Sequence, residues 1–178
     1  MNSSASQFAP HEGPYSPRSR DAGGMPAVRP PTVFRLTEAR RSAALRHLLA
    51  LDTDDRYLRF GHAASDAVLT RYAAGIDFSR DVVLAVGDAS GGFLIGLAHV
   101  ALQAPCAEFG LSVLPQWRCR GIGRWLFVES MRAAMAAGMR SVACITGNSS
   151  VLNMARDEGF SVCIAQGEPR AILWVDGG

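Results

Sequence analysis

Three apolar runs between residues 81 and 114 constrain the fold of this chain more than any other feature. They are 81–88 (DVVLAVGD), 91–102 (GGFLIGLAHVAL) and 107–114 (AEFGLSVL). Runs of this length that are rich in Val, Leu and Phe predict β-strands. The Gly- and Asp-rich junction between the first two runs is typical of a tight turn, so we expect these two strands to pair antiparallel.

A helix and another strand follow the third run. Residues 123–138 (GRWLFVESMRAAMAAG) place apolar side chains at helical spacing, and Gly138 is typical of a helix end. Residues 140–146 (RSVACIT) predict a buried strand. The unit 107–146 is therefore strand–helix–strand, and its simplest arrangement is a parallel crossover.

The remaining elements complete a single layered domain. They are a strand at 32–36, a helix that begins at Thr37 and Glu38, a turn-rich passage at 52–61, a helix at 66–74 that Ser65 caps, a helix at 149–159 and two closing strands. This order predicts a mixed α/β (α+β) fold with about seven strands in a partly antiparallel sheet.

Length and composition limit the protein to a few classes. The 178 residues suffice for one ordinary domain. Residues 1–31 hold six of the nine prolines and show no apolar periodicity, so we expect a disordered tail there and a folded domain at 32–178. Four scattered cysteines, without an apolar span or a signal-peptide core, favour a cytoplasmic protein.

The charged residues exclude several kinds of chemistry. A net charge of +2 gives no reason to expect a nucleic-acid or membrane partner. All 18 basic residues are Arg, which excludes a Schiff-base lysine and a P-loop lysine. The cysteines lack metal-ligand spacing, so no metal is expected.

The segment 115–126 (PQWRCRGIGRWL) connects the third strand to the long helix and has the composition of a phosphate-binding loop. Unpaired N–H groups of a helix's first turn, glycines that permit close approach and arginines all suit phosphate oxygens. A Rossmann loop requires a third glycine and a Walker loop requires Gly-Lys, and both are missing. A solvated basic turn remains the alternative.

Two motifs extend this interpretation. Arg118, Gly121 and Gly123 fill the pattern Gln/Arg-x-x-Gly-x-Gly/Ala, and 148–160 (NSSVLNMARDEGF) is an Asn-led helix that ends in Gly-Phe. In both motifs and in its order of elements, the chain resembles the GNAT N-acetyltransferase superfamily. The segment 56–61 (RYLRFG) makes the chain similar, more narrowly, to the acetyltransferase module of bacterial protein-lysine acetyltransferases. The resemblance implies a GNAT-like sheet with helices on both faces.

The resemblance also implies a substrate and its site. Acetyl-CoA would be the co-substrate and an amine the acceptor, in a monomer or a homodimer. The pyrophosphate would bind backbone N–H groups of the loop at 119–124. The pantetheine arm would pair with the backbone of the strand at 107–114. The implied binding residues are Leu111, Ser112, Val113, Arg118, Cys119, Arg120, Gly121, Ile122, Gly123, Arg124 and Asn148. Asn148 would also support catalysis.

Glu108 is the candidate general base for the attacking amine. Strand alternation puts Glu108, Gly110 and Ser112 on one face, and a carboxylate in an apolar strand needs a partner or a role. The alternative is an ion pair with Arg56 or Arg59. His99, which shares a face with Leu97 and Ala101, is the second candidate base or a structural histidine.

One position departs from the family pattern. Where many members carry a Tyr on the late helix to protonate the departing thiolate, this chain has Ala155. Cys144, Ser149, Ser150 or a water molecule are the alternatives for that acid. The same departure keeps a second hypothesis open, a non-catalytic module that binds acyl-CoA and regulates another activity.

Overall fold

The computed structural model describes residues 31–88, 92–146, 148–165 and 168–174. The elements in chain order are β1 (Val33–Arg35), α1 (Arg41–Leu49), α2 (Thr53–Phe60), α3 (Asp66–Gly75), β2 (Val82–Gly87), β3 (Leu94–Gln103), β4 (Cys106–Val113), α4 (Ile122–Ala136), β5 (Ser141–Ile145), α5 (Ser149–Asp157), β6 (Ser161–Ala165) and β7 (Glu168–Trp174). The predicted tail falls almost wholly outside the described residues, so its disorder stays a prediction.

One mixed sheet organises the domain. Its strand order is β1-β2-β3-β4-β5-β7-β6. Among the described strands, only the pair β4–β5 is parallel, and helix α4 makes the crossover between those two strands. The other neighbours pair antiparallel, including β2 with β3 as the turn signals predict. The predicted mixed α/β architecture is confirmed.

Helices cover both faces of the sheet, and strand β2 accordingly has apolar side chains on both of its faces. Val82 and Leu84 belong to the core beneath α4 and α5, whereas Val83 and Ala85 belong to the core beneath α1 and α3. Successive residues of a strand point to opposite faces, so this continuous apolar run is what a doubly covered strand requires.

The turn-rich passage predicted at 52–61 is wrong, because helix α2 occupies it. The Asp52 side chain accepts a hydrogen bond from the Asp55 N–H at 2.8 Å and caps the helix. Two acids, Asp54 and Asp55, lie in the first turn, and Gly61 ends the helix at φ 75°. The Asp and Gly residues that suggested turns are the caps of one short helix.

The first helix, predicted to begin at Thr37 and Glu38, begins at Arg41, because Glu38–Arg40 form a 3-10 turn. Three other predicted helix boundaries are where the sequence places them. The Ser65 hydroxyl accepts from the Val68 N–H and caps α3. Gly138 and Gly159 follow α4 and α5 with φ of 74° and 91°, the left-handed conformation that favours glycine. None of the helices in the described ranges combines the length and apolarity needed to cross a bilayer.

Candidate functional site

A cleft opens where β4 and β5 separate. The two strands pair only at Cys106–Ser141, Ala107–Val142 and Glu108–Ala143, although β4 continues to Val113. Beyond Glu108, none of the described strands pairs with the edge of β4 that faces β5. The cleft has a volume of about 400 Å³ and continues to the first turn of α4. An extended ligand can pair with this free edge as a strand would.

The loop before α4 presents backbone N–H groups to this cleft. Cys119 and Gly121 adopt left-handed φ values of 59° and 77°. Gly121 is the N-cap and offers no capping side chain, and no acid lies in the first turn of α4. The first N–H groups of a helix have no intrahelical acceptor, so they and the helix dipole form a site suited to an anion.

The arginines of the loop are engaged within the protein. Arg118 pairs with Asp55 of α2 and donates from Nε to the Val113 carbonyl at 3.0 Å. The Arg124 guanidinium donates to Glu158 at 2.5 Å. Arg120 lies over the Trp117 ring at 4.9 Å, away from the lining of the cleft. These contacts compensate part of the loop's charge, which leaves the N–H groups as its main anion-binding feature.

Asn148 closes the cleft on the opposite side. Its Oδ1 accepts from the N–H groups of Ser150 and Val151 and caps α5. Its own N–H donates to the Thr146 hydroxyl, which donates in turn to the Leu58 carbonyl of α2. The predicted start of this helix is correct, and the bonds fix α5 against α2 across the cleft.

A second, smaller cavity of about 240 Å³ adjoins the cleft. Glu108, His99 and Gly110 line it from the sheet, and Phe60 and Tyr72 line it from α2 and α3. Arg59 lines both cavities. Since the cleft lies along residues 111–113 of β4 and the cavity along 108–110, the two meet beneath the Arg59 guanidinium.

Gly110 is required at this meeting point. A Cβ atom at Gly110 would collide with the Arg59 guanidinium. The Arg59 Nε is buried without a hydrogen bond among the described residues, and Nη2 donates to the Tyr72 hydroxyl at 3.1 Å. The guanidinium also lies 4.9 Å from the centroid of the Phe60 ring. Because Gly110 has no side chain, the Arg59 guanidinium can occupy this space.

We expect Gly110→Ala to lower the free energy of unfolding by about 1 kcal/mol, because the new methyl displaces the guanidinium. Arg59→Ala removes the atoms that collide, so adding Gly110→Ala to that variant should cost nothing further. Urea unfolding of the two single variants and the double variant measures this coupling. Gly75→Ala is the control, since nothing lies within 4 Å of its Cβ. Additive effects of the two substitutions would contradict the prediction.

Solved structures share this overall fold. The GNAT domain of S. lividans PAT is 20% identical, with a TM-score of 0.65 over 80% of this chain and 89% of that one. A GNAT superfamily phosphinothricin acetyltransferase from Sinorhizobium meliloti, in complex with AcCoA, is 19% identical, with a TM-score of 0.59 over 80% and 85%. The ribosomal-protein-S18-alanine N-acetyltransferase from Escherichia coli is 14% identical, with a TM-score of 0.59 over 83% and 95%.

The chain has the GNAT fold. No protein-family model matches it, and no curated protein matches it by sequence. The likeness to GNAT proteins is therefore one of three-dimensional arrangement, together with the two short motifs that predicted it. At these identities the likeness concerns the fold, and activity has to be inferred from the site.

Most of the residues that the GNAT resemblance assigns to the donor lie together in the cleft. Those that line it are Leu111, Ser112, Val113, Arg118, Cys119, Gly121, Ile122, Gly123, Arg124 and Asn148, whereas Arg120 lies outside. The sequence reasoning missed further lining residues, among them Asp55, Arg59, Trp117, Thr146 and Met154. The capping residues Asp52 and Gly61 signal helix α2, but no local pattern places that helix beside β4.

Ser112 has a buried partner that the sequence reasoning also missed. His47 of α1 is fully buried, with Nδ1 at 2.9 Å from the Leu94 carbonyl and Nε2 at 2.9 Å from the Ser112 hydroxyl. A carbonyl only accepts, so Nδ1 carries the proton and the Ser112 hydroxyl donates to Nε2. Burial, together with the nearby Arg59 charge, lowers the pKa of His47 from 6.5 to about 4, although the bond to the Leu94 carbonyl opposes this shift. His47 is therefore neutral at pH 7.

The two candidate bases share the smaller cavity. Glu108 is exposed, at the last paired position before β4 and β5 diverge. No ion pair between Glu108 and either Arg56 or Arg59 is present among the described residues, so the proposed structural alternative lacks its partner. Arg56 instead binds Asp66 and three carbonyls near its own helix. His99 contacts Tyr72 and Asp81.

Two of the alternatives for a general acid, Cys144 and Ser149, do not line the cleft. The Cys144 thiol is buried, and burial raises its pKa to about 12. It does not line the cleft. Ala155 is fully buried in the core beneath α4, and Ser150, Val151 and Met154 are the α5 residues that line the cleft. Ser150 remains, together with water, because Ser149 does not line the cleft.

Proposed function

We propose that the protein is an N-acetyltransferase that transfers the acetyl group of acetyl-CoA to a primary amine by direct attack in a ternary complex. The observation that carries this proposal is the free edge of β4, which leads from the first turn of α4 to Glu108. That path connects an anion site, an apolar strand edge and a carboxylate in the order that a phosphate, a thioester arm and a reacting amine require.

The donor's binding follows from the cleft. The N–H groups at 119–124 would bind the pyrophosphate, with Gly121 and Gly123 leaving the backbone accessible. The backbone of Leu111, Ser112 and Val113 would pair with the pantetheine arm, and Asn148 would hold the far wall in place. Acetyl-CoA would bring the activated acetyl group to the junction of the two cavities.

The acceptor would enter the smaller cavity beside Glu108. A primary amine is protonated at neutral pH and is not nucleophilic until it loses a proton. Glu108 is exposed, faces the cavity and has no ion-pair partner there among the described residues, so it can take that proton directly or through water. The missing Tyr at Ala155 leaves the thiolate to be protonated by water or Ser150, which a thiolate permits because its pKa is moderate.

Calorimetry tests the donor, and an acceptor panel tests the reaction. Acetyl-CoA and CoA at millimolar concentration should bind and raise the melting temperature. Release of CoA thiol should then be followed with a lysine peptide, a peptide with an amino-terminal alanine and phosphinothricin. The last two acceptors correspond to the activities named for the structural neighbours. An unchanged melting temperature would overturn the proposal.

A regulatory module that binds acyl-CoA without catalysis is the second candidate, favoured by the burial of Ala155 in the core. Acetyl transfer by the unaltered protein to any amine in the panel would exclude it as the whole function. We also propose a cytoplasmic monomer or homodimer, which fits the free thiols of Cys106, Cys119 and Cys144.

Gly123→Ala should raise the dissociation constant of acetyl-CoA about tenfold, the scale of one lost hydrogen bond to a charged group. A Cβ at Gly123 would lie 3.8 Å from Val113 and 4.0 Å from Met154, both ordinary contacts, so the fold should tolerate it. The methyl would nevertheless occupy cleft space beside the loop. Calorimetric titration measures the effect, with Gly75→Ala as the control. Unchanged affinity in Gly123→Ala would remove this glycine from the donor site.

A further inference from the structure

A chain of hydrogen bonds runs from the floor of the smaller cavity into the sheet. The Tyr72 hydroxyl lies 2.7 Å from His99 Nδ1, and His99 Nε2 lies 3.0 Å from Asp81 Oδ2. Arg59 Nη2 lies 3.1 Å from the same Tyr72 hydroxyl. Tyr72 and His99 line the cavity beside Glu108, whereas Asp81 is buried. The residues come from α2, α3, β3 and the turn before β2.

The proton positions in this chain follow from its two ends. Burial raises the pKa of Asp81, but hydrogen bonds from Arg80, His99 and the Leu102 N–H outweigh it and bring the pKa to about 2. The ionised carboxylate only accepts, so His99 Nε2 carries a proton. Burial holds the pKa of His99 below 6.5, although Asp81 opposes this shift. His99 is therefore neutral at pH 7, and its Nδ1 accepts from the Tyr72 hydroxyl.

Each charged or titratable group around His99 has a definite position. Asp81 contacts His99 and pairs with Arg80, Tyr72 contacts His99 and accepts from Arg59, and Glu108 lines the same cavity as His99. Arg59 has no acceptor site, so it donates to the Tyr72 oxygen. The phenol oxygen thus faces a cation on one side and gives its proton to a neutral imidazole on the other. In this arrangement His99 is a base for the Tyr72 hydroxyl and Asp81 orients His99, as in sites where a base and a carboxylate activate a hydroxyl.

We propose that Tyr72, His99 and Asp81 form a proton relay for the acetyl-transfer reaction, with Tyr72 as the group that contacts the amine. The inference rests on the proposed function. An alkylammonium acceptor loses two protons when it becomes an amide, and Glu108 accounts for the one lost before attack. The relay takes the second one, released as the new C–N bond forms and the C–S bond breaks.

The step balances within these residues. The N–H bond of the attacking nitrogen breaks and its proton passes to the Tyr72 oxygen, while the proton of Tyr72 passes to His99 Nδ1. The imidazolium that results lies beside the Asp81 carboxylate, so the buried pair gains no net unpaired charge. The departing thiolate is protonated by water, and His99 returns its proton to solvent. Tyr72 is the catalytic residue in this scheme; His99 holds the proton and Asp81 is a positioning residue.

Tyr72→Phe tests the relay with little change in packing. The ring contacts of Tyr72 with Phe60 and His99, at centroid distances of 5.1 and 5.6 Å, are retained by phenylalanine. We expect kcat to fall at least about tenfold with the best acceptor of the panel, while KM for acetyl-CoA stays unchanged. Tyr57→Phe on α2 is the matched control, because Tyr57 is 58% exposed and lies outside both cavities. A fully active Tyr72→Phe variant overturns the relay.

The pH profile separates a proton-transfer role from a structural one. His99 accepts a proton only when neutral, so the kcat of the unaltered protein should fall as the pH drops below the pKa of His99, which lies under 6.5. The His99→Gln variant should have a lower kcat, and its kcat should no longer show this fall at acidic pH. An acidic limb that His99→Gln leaves unchanged contradicts the proposal.

Histidine ¹⁵N NMR gives a readout that does not depend on activity. At pH 7 the His99 ring should be the neutral Nε2–H tautomer, and an Nδ1–H tautomer or an imidazolium overturns the relay. Failure of the relay is distinguishable from failure of the proposed function. An active protein with an impaired Glu108→Gln variant and an unimpaired Tyr72→Phe variant overturns the relay alone. A protein that binds acetyl-CoA and acetylates nothing in the panel overturns both.

Discussion

Glu108→Gln is expected to lower the rate of acetyl transfer by a factor of roughly 10²–10³, the scale of a general base, while the affinity for acetyl-CoA stays unchanged. Glutamine keeps the size of the side chain and removes its ability to take a proton. Glu108 is exposed and lies at the last position where β4 pairs with β5, so the change should not disturb the sheet. Steady-state release of CoA thiol gives kcat, and calorimetry gives the affinity.

The control for this prediction is Glu129→Gln on α4. Glu129 is a partly exposed carboxylate that pairs with Arg132 on the same helix and lines neither cavity. Its replacement should leave both kcat and donor affinity unchanged. If Glu108→Gln retains full kcat at neutral pH, Glu108 is not the base. Loss of donor affinity in this variant would instead indicate that Glu108 holds the donor.

Lowering the pH from 6.5 to 4 should cost the folded protein about 3 kcal/mol of stability through His47 alone. The pKa of His47 is 6.5 in the unfolded chain and about 4 in the folded one, and each pKa unit is worth 1.36 kcal/mol. Between these pH values the unfolded chain binds a proton that the folded chain excludes. The stability is fully present above pH 6.5 and is lost as the pH falls toward 4.

Urea unfolding between pH 7.5 and 4.5 measures this loss, and His47→Gln isolates the contribution of His47 from that of His99, whose lowered pKa acts in the same direction. Glutamine can donate to the Leu94 carbonyl and accept from the Ser112 hydroxyl, but it does not titrate. The variant should lose less stability on acidification by about 3 kcal/mol. His62→Gln, at an exposed position, should behave as the unaltered protein. Equal slopes in all three proteins would contradict the prediction.

Local sequence patterns predicted the described elements well where the interactions that form them are local. Caps such as Ser65 and Asn148 bond to N–H groups two or three residues away, and the φ of Gly138 depends on its own backbone. Strands β2 and β3 follow from apolar runs and a short turn. Helix α2 was the exception, because Asp and Gly are turn residues and helix caps alike, and only the intact eight-residue helix distinguishes the two uses.

Contacts between distant residues could not be predicted in this way. Arg118 pairs with Asp55, His47 with Ser112, and Arg59 occupies the space above Gly110. Each pair is separated by about fifty residues or more and depends on how α1 and α2 pack on β4. The charge of Arg118 therefore looked available for a ligand, and Glu108 looked ready to pair with Arg59. Packing instead pairs Arg118 with Asp55 and places Arg59 beside the Tyr72 hydroxyl, and in the described part of the chain Glu108 has no ion pair with Arg59.

The sequence by itself determined the glycine-containing loop before α4, the strand that precedes it and the Asn-capped helix beyond it, because backbone conformation and capping depend on neighbours along the chain. Only the tertiary structure decided that Glu108, Tyr72 and His99 line one cavity, that buried Asp81 bonds to His99 behind it, and that Arg59 lines both this cavity and the cleft along β4. Hydrogen bonds and burial among residues from several elements set those positions. The set of side chains that meets in the smaller cavity, where we propose that the amine binds, is therefore a property of the folded chain.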